Sequence, residues 1–284
     1  MTRTRIFGAL VGLSMSLLAA MPAAAATTGW IELGEGARIR LIADNQLDDT
    51  GHTRLGLEIE MPPTVKTYWQ QPGEAGLPLA LDWKDTSGIA TTEVLWPYPL
   101  REKDKGFLEY VYYGDTTLPI LVELEPGTTR LDVDLAITMG VCSEVCIPAQ
   151  AAFSTTLDFG KPDRASAFRL DRATNLVPKP AQEDPAFAQL GIAPSGEAVW
   201  VKTTAGRSVN ASLVISAQSN EFLFGTPQNG PHSDILEVPF LGYGKLEDLI
   251  GQPLGLTYLG TDGPLVVTRP LGRATMIDTV VRFD

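Results

Sequence analysis

Histidine and cysteine are scarce in this chain. Its 284 residues include only two of each. The histidines, His52 and His232, lie in loop-like segments, and no serine or acidic residue accompanies either of them in a recognisable catalytic motif. The glycine pair Gly34-Glu-Gly36 lacks the third glycine and the strand–helix context of a dinucleotide-binding loop. The sequence therefore disfavours hydrolase chemistry and dinucleotide binding.

Positive charge is also in short supply. Lysine and arginine total 22 against 34 aspartates and glutamates, which gives a formal net charge of −12 at pH 7. Such a surface has no basic face for nucleic acid or for anionic lipid. The simplest interpretation is an acidic surface that keeps the protein in solution.

Long apolar runs are missing except near the N-terminus. There, Arg3 and Arg5 precede an apolar stretch over 6–18, and small residues follow at 23–26. This order predicts a cleaved secretory signal peptide at 1–26. The apolar stretch is shorter than the ~20 residues that span a bilayer. We therefore expect a periplasmic protein, exposed to an oxidising compartment.

Short strand signals occur at regular intervals along the rest of the chain. Between Leu131 and Met139 apolar residues alternate with polar or small ones, the period of a strand with one buried face. Turn sequences such as Gln71-Pro-Gly73 separate the strands, which favours an antiparallel sandwich over residues 27–160. Its other predicted strands lie at 55–61, 79–83, 108–113, 118–124 and 153–159.

Residues 161–190 interrupt this pattern. Asp163 can cap a short helix that includes Phe168 and Leu170, and three prolines follow between 178 and 185. We interpret the interval as a Pro-rich linker with a short helix. Strand periodicity resumes over 191–284, which predicts a second sandwich domain. Its predicted strands lie at 199–201, 209–217, 254–259, 265–268 and 279–283.

The two cysteines, Cys142 and Cys146, are four residues apart. Closing so short a loop constrains the unfolded chain by only ~2 kcal/mol, against ~4 or more for a long loop. Reactivity is therefore a better explanation for the pair than stability. In a straight strand residues four apart are separated by ~13 Å, so 143–145 must turn if a disulfide forms. We expect Gly140 to give flexibility at the entrance of this turn and Pro148 to stiffen its exit.

Two other interpretations of the cysteines remain open. The pair can be an inert bridge in a non-catalytic binding module for a protein partner. Together with Met139, Cys142 and Cys146 also provide soft ligands of the kind that Cu(I) selects, although Met139 continues the apolar face of its strand. For exchange, no basic residue lies close in sequence and Glu144 disfavours a thiolate, which suits a reactant whose partner brings the reactive thiol.

Several motifs occur in a specific order around the cysteines. They are Trp69-Gln-Gln-Pro72-Gly73, Trp83, Leu95-Trp96-Pro97-Tyr-Pro99, Leu118-Pro119 and Val141-Cys142-Ser-Glu-Val-Cys146-Ile-Pro148. With them the chain resembles the N-terminal periplasmic domain of the DsbD/ScsB thiol–disulfide interchange family, most closely its ScsB-like branch. The resemblance implies an all-β fold of two immunoglobulin-like antiparallel β-sandwich domains. It also implies a redox-active disulfide between Cys142 and Cys146 and no other cofactor.

The resemblance further implies partners and residue roles. A membrane-embedded electron transporter of the DsbD/ScsB type supplies electrons, which pass to oxidised periplasmic thioredoxin-fold proteins for disulfide isomerisation, cytochrome c maturation or copper tolerance. Cys146 attacks the substrate disulfide and Cys142 resolves the intermediate. An aromatic cap shields the pair, for which we expect Phe107, with Tyr110 and Tyr112 packing nearby. Since the family's membrane and thioredoxin-like domains do not appear in the sequence, we expect a stand-alone form that receives electrons from a separate protein.

Overall fold

The computed structural model describes residues 27–84, 86–181, 186–204 and 210–284, so the predicted signal peptide lies outside the described residues. Within these ranges strands dominate, and the sheets pack as sandwiches. The all-β, immunoglobulin-like fold predicted from the sequence is confirmed. No helix among the described residues is long and apolar enough to cross a membrane.

The first sandwich consists of two antiparallel sheets. Its strands are β1 (Ile31–Gly34), β2 (Ala37–Ala43), β3 (His52–Glu60), β4 (Lys66–Gly73), β5 (Ala80–Asp82), β6 (Ile89–Val94), β7 (Leu100–Asp104), β8 (Phe107–Tyr113), β9 (Thr116–Leu124), β10 (Arg130–Cys142) and β11 (Cys146–Asp158). One sheet has the order β1-β2-β3-β9-β6. The other has the order β11-β10-β4-β8-β7, with β5 paired to β10.

The core of this sandwich follows from the alternation of apolar and polar residues. In β10, Leu131, Val133 and Leu135 are buried between the sheets, whereas Asp132 and Asp134 are exposed. Each apolar side chain removed from water in this way contributes about 1.5–3 kcal/mol to folding. The same alternation in β8 decides which residues face the core and which face the outer surface of the sheet.

One α-helix, α1 (Arg164–Thr174), packs against the first sandwich. Asp163 is its N-cap, because the carboxylate accepts hydrogen bonds from the backbone N–H groups of Ala165 and Ser166 at 2.9 and 3.0 Å. The helix buries Leu170 above Gly56, where a Cβ atom would lie 2.7 Å from the Leu170 side chain. The predicted helix and its cap are therefore present, and the helix belongs with the first sandwich.

The second sandwich is built around one long strand. Its strands are β12 (Lys179–Pro180), β13 (Phe187–Ile192), β14 (Ala198–Thr203), β15 (Val214–Ser216), β16 (Gln228–Asn229), β17 (Ile235–Pro239), β18 (Pro253–Gly260), β19 (Gly263–Ile277) and β20 (Val280–Phe283); 3₁₀ turns occur at Asn210–Ser212 and Leu246–Leu249. Along its length β19 pairs first with β18, then with β13 and then with β20. Apolar side chains of these and neighbouring strands form a second core.

The second half differs from the sequence prediction in three respects. The pairings of β19 with β12 and β13 are parallel, so this sandwich is not purely antiparallel. Of the strand predicted at 209–217, only Val214–Ser216 forms, and residue 209 lies outside the described residues. β12 and β13 pair with the second sandwich from within the interval 161–190, so the connection is shorter than the predicted linker. Proline disfavours sheet pairing because it has no backbone N–H, yet Pro180 is paired with Val266 in β19.

Side chains of the first sandwich bind backbone carbonyls of the second. The Tyr98 hydroxyl donates to the carbonyl of Ser212 at 2.5 Å, and the Gln71 amide donates to that of Phe222 at 3.1 Å. Val214 and Leu223 of the second half also join the core of the first sandwich. The two sandwiches are thus joined along the segment 211–224.

Removing the helix cap should destabilise the protein. Replacing Asp163 with Ala deletes two hydrogen bonds to free helix N–H groups, which costs about 1 kcal/mol in the free energy of unfolding. Asp163→Asn is the matched control, because asparagine caps about as well as aspartate. Urea denaturation of both variants checks this, and equal stability of Asp163→Ala and the wild type would contradict the assigned cap.

Candidate functional site: the disulfide at the end of a hairpin

Cys142 and Cys146 form a disulfide between adjacent strands. β10 ends at Cys142 and β11 begins at Cys146, and the two residues are directly opposite in the ladder with Cα atoms 4.1 Å apart. Residues 143–145 form the turn that the spacing predicted. The strands predicted from the sequence at 131–139 and 153–159 leave both cysteines outside, whereas in the structure the β10–β11 ladder continues up to them. The pair is consequently held by the hydrogen bonding of a regular hairpin.

The two cysteines differ in exposure. Cys142 is fully buried, with 0% of its surface accessible, whereas Cys146 is exposed. Cys142 packs with Tyr68 and Val111 in a small apolar cluster on the outer face of the sheet. Because thiol–disulfide exchange requires access along the line of the attacked bond, an external thiol has better access to Cys146 than to Cys142.

Tyr68 contacts both sulfur atoms. Its hydroxyl oxygen lies 3.0 Å from Cys142 Sγ and 3.1 Å from Cys146 Sγ, and 1% of the residue is exposed. Disulfide sulfurs carry no proton, so the hydroxyl is the donor in both contacts. Burial, followed by the negative charge of Glu109, raises the pKa of Tyr68 to about 12. The hydroxyl therefore keeps its proton at neutral pH and can donate to a thiolate when the disulfide opens.

Two glycines make room for the Tyr68 ring. A Cβ atom at Gly140 would lie 2.8 Å from Cε2 of the ring, and one at Gly76 would lie 2.5 Å from Cδ1 on its other edge. The predicted role of Gly140 as a flexible turn residue is wrong, since it is a ladder residue of β10 opposite Pro148. Its missing side chain instead creates half of a slot for Tyr68.

A buried lysine lies beside the disulfide. Lys66 is the ladder partner of Cys142, and its ammonium group contacts Glu102 and Glu109 at 2.5 Å and Asp104 at 3.3 Å. Burial alone lowers the pKa of Lys66, but the hydrogen bonds to Glu102 and Glu109 outweigh it and raise the pKa. Three carboxylates thus surround one cation, and the net negative charge does not favour a thiolate nearby. This agrees with a reactant whose partner supplies the activated thiol.

The aromatic residues predicted around the disulfide lie on different faces of β8. Tyr110 and Tyr112 point into the core between the sheets, where their hydroxyls donate to the carbonyls of Phe224 and Pro97. Val111 lies on the opposite face with the disulfide. The structure therefore does not place Tyr110 and Tyr112 beside the sulfurs, because side chains of a strand alternate. Phe107 shares the face of Val111 and is 49% exposed.

Met139 does not face the cysteines. Met139 is 1% exposed and packs in the core between the sheets. It precedes Cys142 by three residues in the same strand, so the two side chains point to opposite faces of the sheet. The alternative Cu(I) set of Met139, Cys142 and Cys146 is wrong on this point, since the thioether and the sulfur of Cys142 lie on opposite sides of β10. Among the described residues no group of three histidine, cysteine or acidic side chains is placed to hold a metal ion.

Two neighbouring turns contact the loop between the cysteines. Ser143 donates its hydroxyl to Glu35 at 2.6 Å, in the turn between β1 and β2. Lys105, in the turn between β7 and β8, donates to the backbone carbonyl of Glu144 at 3.3 Å. Val145 at the tip of the loop is 66% exposed. The loop is thus fixed at both sides and leaves an apolar tip beside Cys146.

Sequence reasoning found the cysteines but missed Tyr68 and Lys66. Both lie on β4, far from the cysteines in the chain, and only the pairing of strands brings them together. One signal was available for Tyr68, since it immediately precedes Trp69. Alternation places Tyr68 on the outer face when Trp69 is in the core.

The chain is similar to a known protein family and to a solved structure. Residues 40–158 match the family described as "Thiol:disulfide interchange protein DsbD, N-terminal". The structure is similar to the N-terminal periplasmic domain of ScsB from Proteus mirabilis, with a TM-score of 0.67 and 22% sequence identity, covering 88% of this chain and 99% of that chain. No curated protein matches the chain. The match over 40–158 includes Tyr68 and both cysteines.

Removing the Tyr68 hydroxyl should change the reactivity of the reduced pair. In Tyr68→Phe no hydroxyl donates to the developing thiolate, and a hydrogen bond to a charged group is worth about 1.5–3 kcal/mol. We expect the pH at which the reduced protein reacts at half its maximal rate with iodoacetamide to rise by about one to two units. Tyr113→Phe is the control, because that hydroxyl donates to Glu102. A superimposable pH profile for Tyr68→Phe would refute the assigned contact.

Filling the glycine slot should be costly. Gly140→Ala places a methyl group against the Tyr68 ring, and overpacking of this kind costs about 1–3 kcal/mol. Gly29→Ala is the matched control, since no heavy atom lies within 4 Å of its added Cβ. Chemical denaturation of the two variants compares them. A Gly140→Ala protein as stable as Gly29→Ala means that the ring is not confined.

Proposed function

We propose that this protein relays reducing equivalents in the periplasm, because its residues 40–158 match the N-terminal domain of the DsbD thiol:disulfide interchange family. Its electron donor is a membrane-embedded transporter of the DsbD/ScsB type. Its acceptors are oxidised thioredoxin-fold proteins. Such a relay serves disulfide isomerisation, cytochrome c maturation or copper tolerance.

The unequal exposure of the two cysteines is the observation that carries this proposal. A disulfide that only stabilises a domain does not require one of its cysteines to be exposed. Because the two cysteines are only four residues apart, the bond also lowers the entropy of the unfolded chain by little. An exchange centre needs one sulfur that a partner can reach and a second that is held close to it. Cys146 and Cys142 meet these two requirements. The alternative of a non-catalytic binding module with an inert bridge explains neither feature.

The relay proceeds through one mixed disulfide. In the reduced protein the Cys146 thiolate attacks a sulfur of the acceptor disulfide, so that a new S–S bond forms and the other acceptor sulfur leaves as a thiolate. Cys142, as a thiolate, then attacks Cys146 Sγ, which closes the Cys142–Cys146 bond and releases the second acceptor thiolate. Two electrons pass to the acceptor, and protons from solvent neutralise its thiolates. The dithiol of the membrane transporter reduces the pair by the reverse sequence.

Neighbouring groups support these steps. The Tyr68 hydroxyl donates a hydrogen bond to whichever sulfur carries the negative charge, since it lies within 3.1 Å of both. Phe107 acts as the shielding aromatic at the tip of the β7–β8 hairpin, next to the turn that contacts the cysteine loop through Lys105.

Single cysteine variants test the relay. Cys142→Ser cannot resolve the intermediate and should accumulate a covalent adduct with an oxidised periplasmic thioredoxin-fold protein. Cys146→Ser lacks the attacking sulfur and should form none. Non-reducing electrophoresis with mass spectrometry detects the adduct, and the double cysteine-to-serine variant controls for non-specific crosslinking.

Two outcomes would contradict the proposal. One is that neither single variant forms an adduct with such an acceptor. The other is a reduction potential for the pair below about −300 mV, the range of structural disulfides that resist reduction by the glutathione pool. Either result would favour the binding module with an inert disulfide.

A further inference from the structure

The hairpin formed by β7 and β8, residues Leu100–Tyr113, lies between the disulfide and the second sandwich. We call it the site hairpin. On one face, its carboxylates Glu102 and Glu109 hold Lys66, the ladder partner of Cys142. At its tip, Lys105 contacts the carbonyl of Glu144 in the cysteine loop. The hairpin therefore forms one side of the surface around Cys146, and the β1–β2 turn contacts the other side of the cysteine loop through Glu35.

The opposite face of the site hairpin is bound to the second sandwich. Arg101 donates to the backbone carbonyls of Ala211, at 2.9 Å, and of Leu213. Its guanidinium lies 5.7 Å from the ring centre of Tyr110, whose buried hydroxyl donates to the carbonyl of Phe224 at 3.2 Å. Three carbonyls of the second sandwich thus accept hydrogen bonds from two residues of the hairpin.

Near the tip, the site hairpin and the second sandwich are separated by a cleft. The cleft has a volume of about 490 Å³ and is lined by Lys103 and Leu108 on one side and by Gly225, Pro239 and Leu241 on the other. Packing therefore does not hold this end of the hairpin against the second sandwich. On the side of the second sandwich, the hairpin is therefore held by the hydrogen bonds of Arg101, which also lines the cleft, and of Tyr110.

We propose that the second sandwich acts as a positioning platform for the redox site. Arg101 and Tyr110 are positioning residues, which fix the site hairpin so that a thioredoxin-fold partner docks beside Cys146. This inference rests on the proposed function and adds a role for the second sandwich. A small thiol needs no docking surface, so the platform matters for protein partners only.

Two reductants distinguish docking from chemistry. Dithiothreitol and reduced bacterial thioredoxin each supply a dithiol, which becomes a disulfide as the Cys142–Cys146 bond is reduced to two thiols. We expect Arg101→Ala to lower the second-order rate constant with thioredoxin at least fivefold and to leave that with dithiothreitol within twofold of the wild type. Acid quenching and alkylation followed by mass spectrometry give both rates.

Other variants separate positioning from general damage to the interface. Arg101→Lys keeps the charge and one donor and should recover part of the thioredoxin rate. Tyr110→Phe, which removes one hydroxyl from the site hairpin, should reduce the thioredoxin rate about twofold. Tyr98→Phe is its matched control, since it removes a hydroxyl bond to the same segment of the second sandwich from outside the hairpin. It should react like the wild type.

Several results would overturn the platform. These are an unchanged thioredoxin rate in Arg101→Ala, an equal loss with both reductants, or an equal loss in Tyr98→Phe and Tyr110→Phe. Thermal unfolding identifies a variant that does not fold, and Tyr110→Phe then decides the question. If wild-type protein reacts with dithiothreitol but with no thioredoxin-fold protein, the proposed function itself fails and the platform fails with it. Failure of the variants alone leaves the relay intact.

Discussion

The contact between one buried tyrosine hydroxyl and two sulfur atoms depends on much of the first sandwich. Tyr68 reaches Cys142 and Cys146 only because β4 lies beside β10 and because Gly140 and Gly76 leave space for the ring. The hydroxyl is removed from water, so it has no solvent partner to compete with the sulfurs. A polar group placed in this way satisfies its hydrogen bond and favours the opened, charged form of the pair.

The charges around the pair have a complementary effect. Lys66 is buried next to Cys142, yet its ammonium group is fully engaged by Glu102, Glu109 and Asp104. A lysine without these partners would stabilise a thiolate on the nearest cysteine. With them, the site is held together electrostatically without creating a strongly activated thiol. Shape and hydrogen bonding thus contribute more to this site than a positive field does.

The sequence predicted what depends on local pattern. The alternation of apolar and polar residues predicted the sandwiches, and a helix-start signal predicted the Asp163 cap. The length of a straight strand predicted the turn at 143–145. The order of the motifs indicated the family resemblance, which the comparisons confirm. What it could not predict depends on pairing between distant strands. Tyr68 and Lys66 meet the cysteines across the β4–β10 boundary, and the placement of Tyr110 in the core depends on which face of β8 is covered.

The burial of Cys142 restricts which covalent species the protein can form. Since Cys142 is buried and Cys146 is exposed, we expect an external thiol to form its mixed disulfide with Cys146. By the same reasoning, two copies would crosslink through Cys146, and Cys142 of either copy could then attack the adjacent Cys146 sulfur, re-form the intramolecular disulfide and release the other copy. We therefore expect an intermolecular disulfide of this protein to be transient, because the resolving sulfur belongs to the same hairpin.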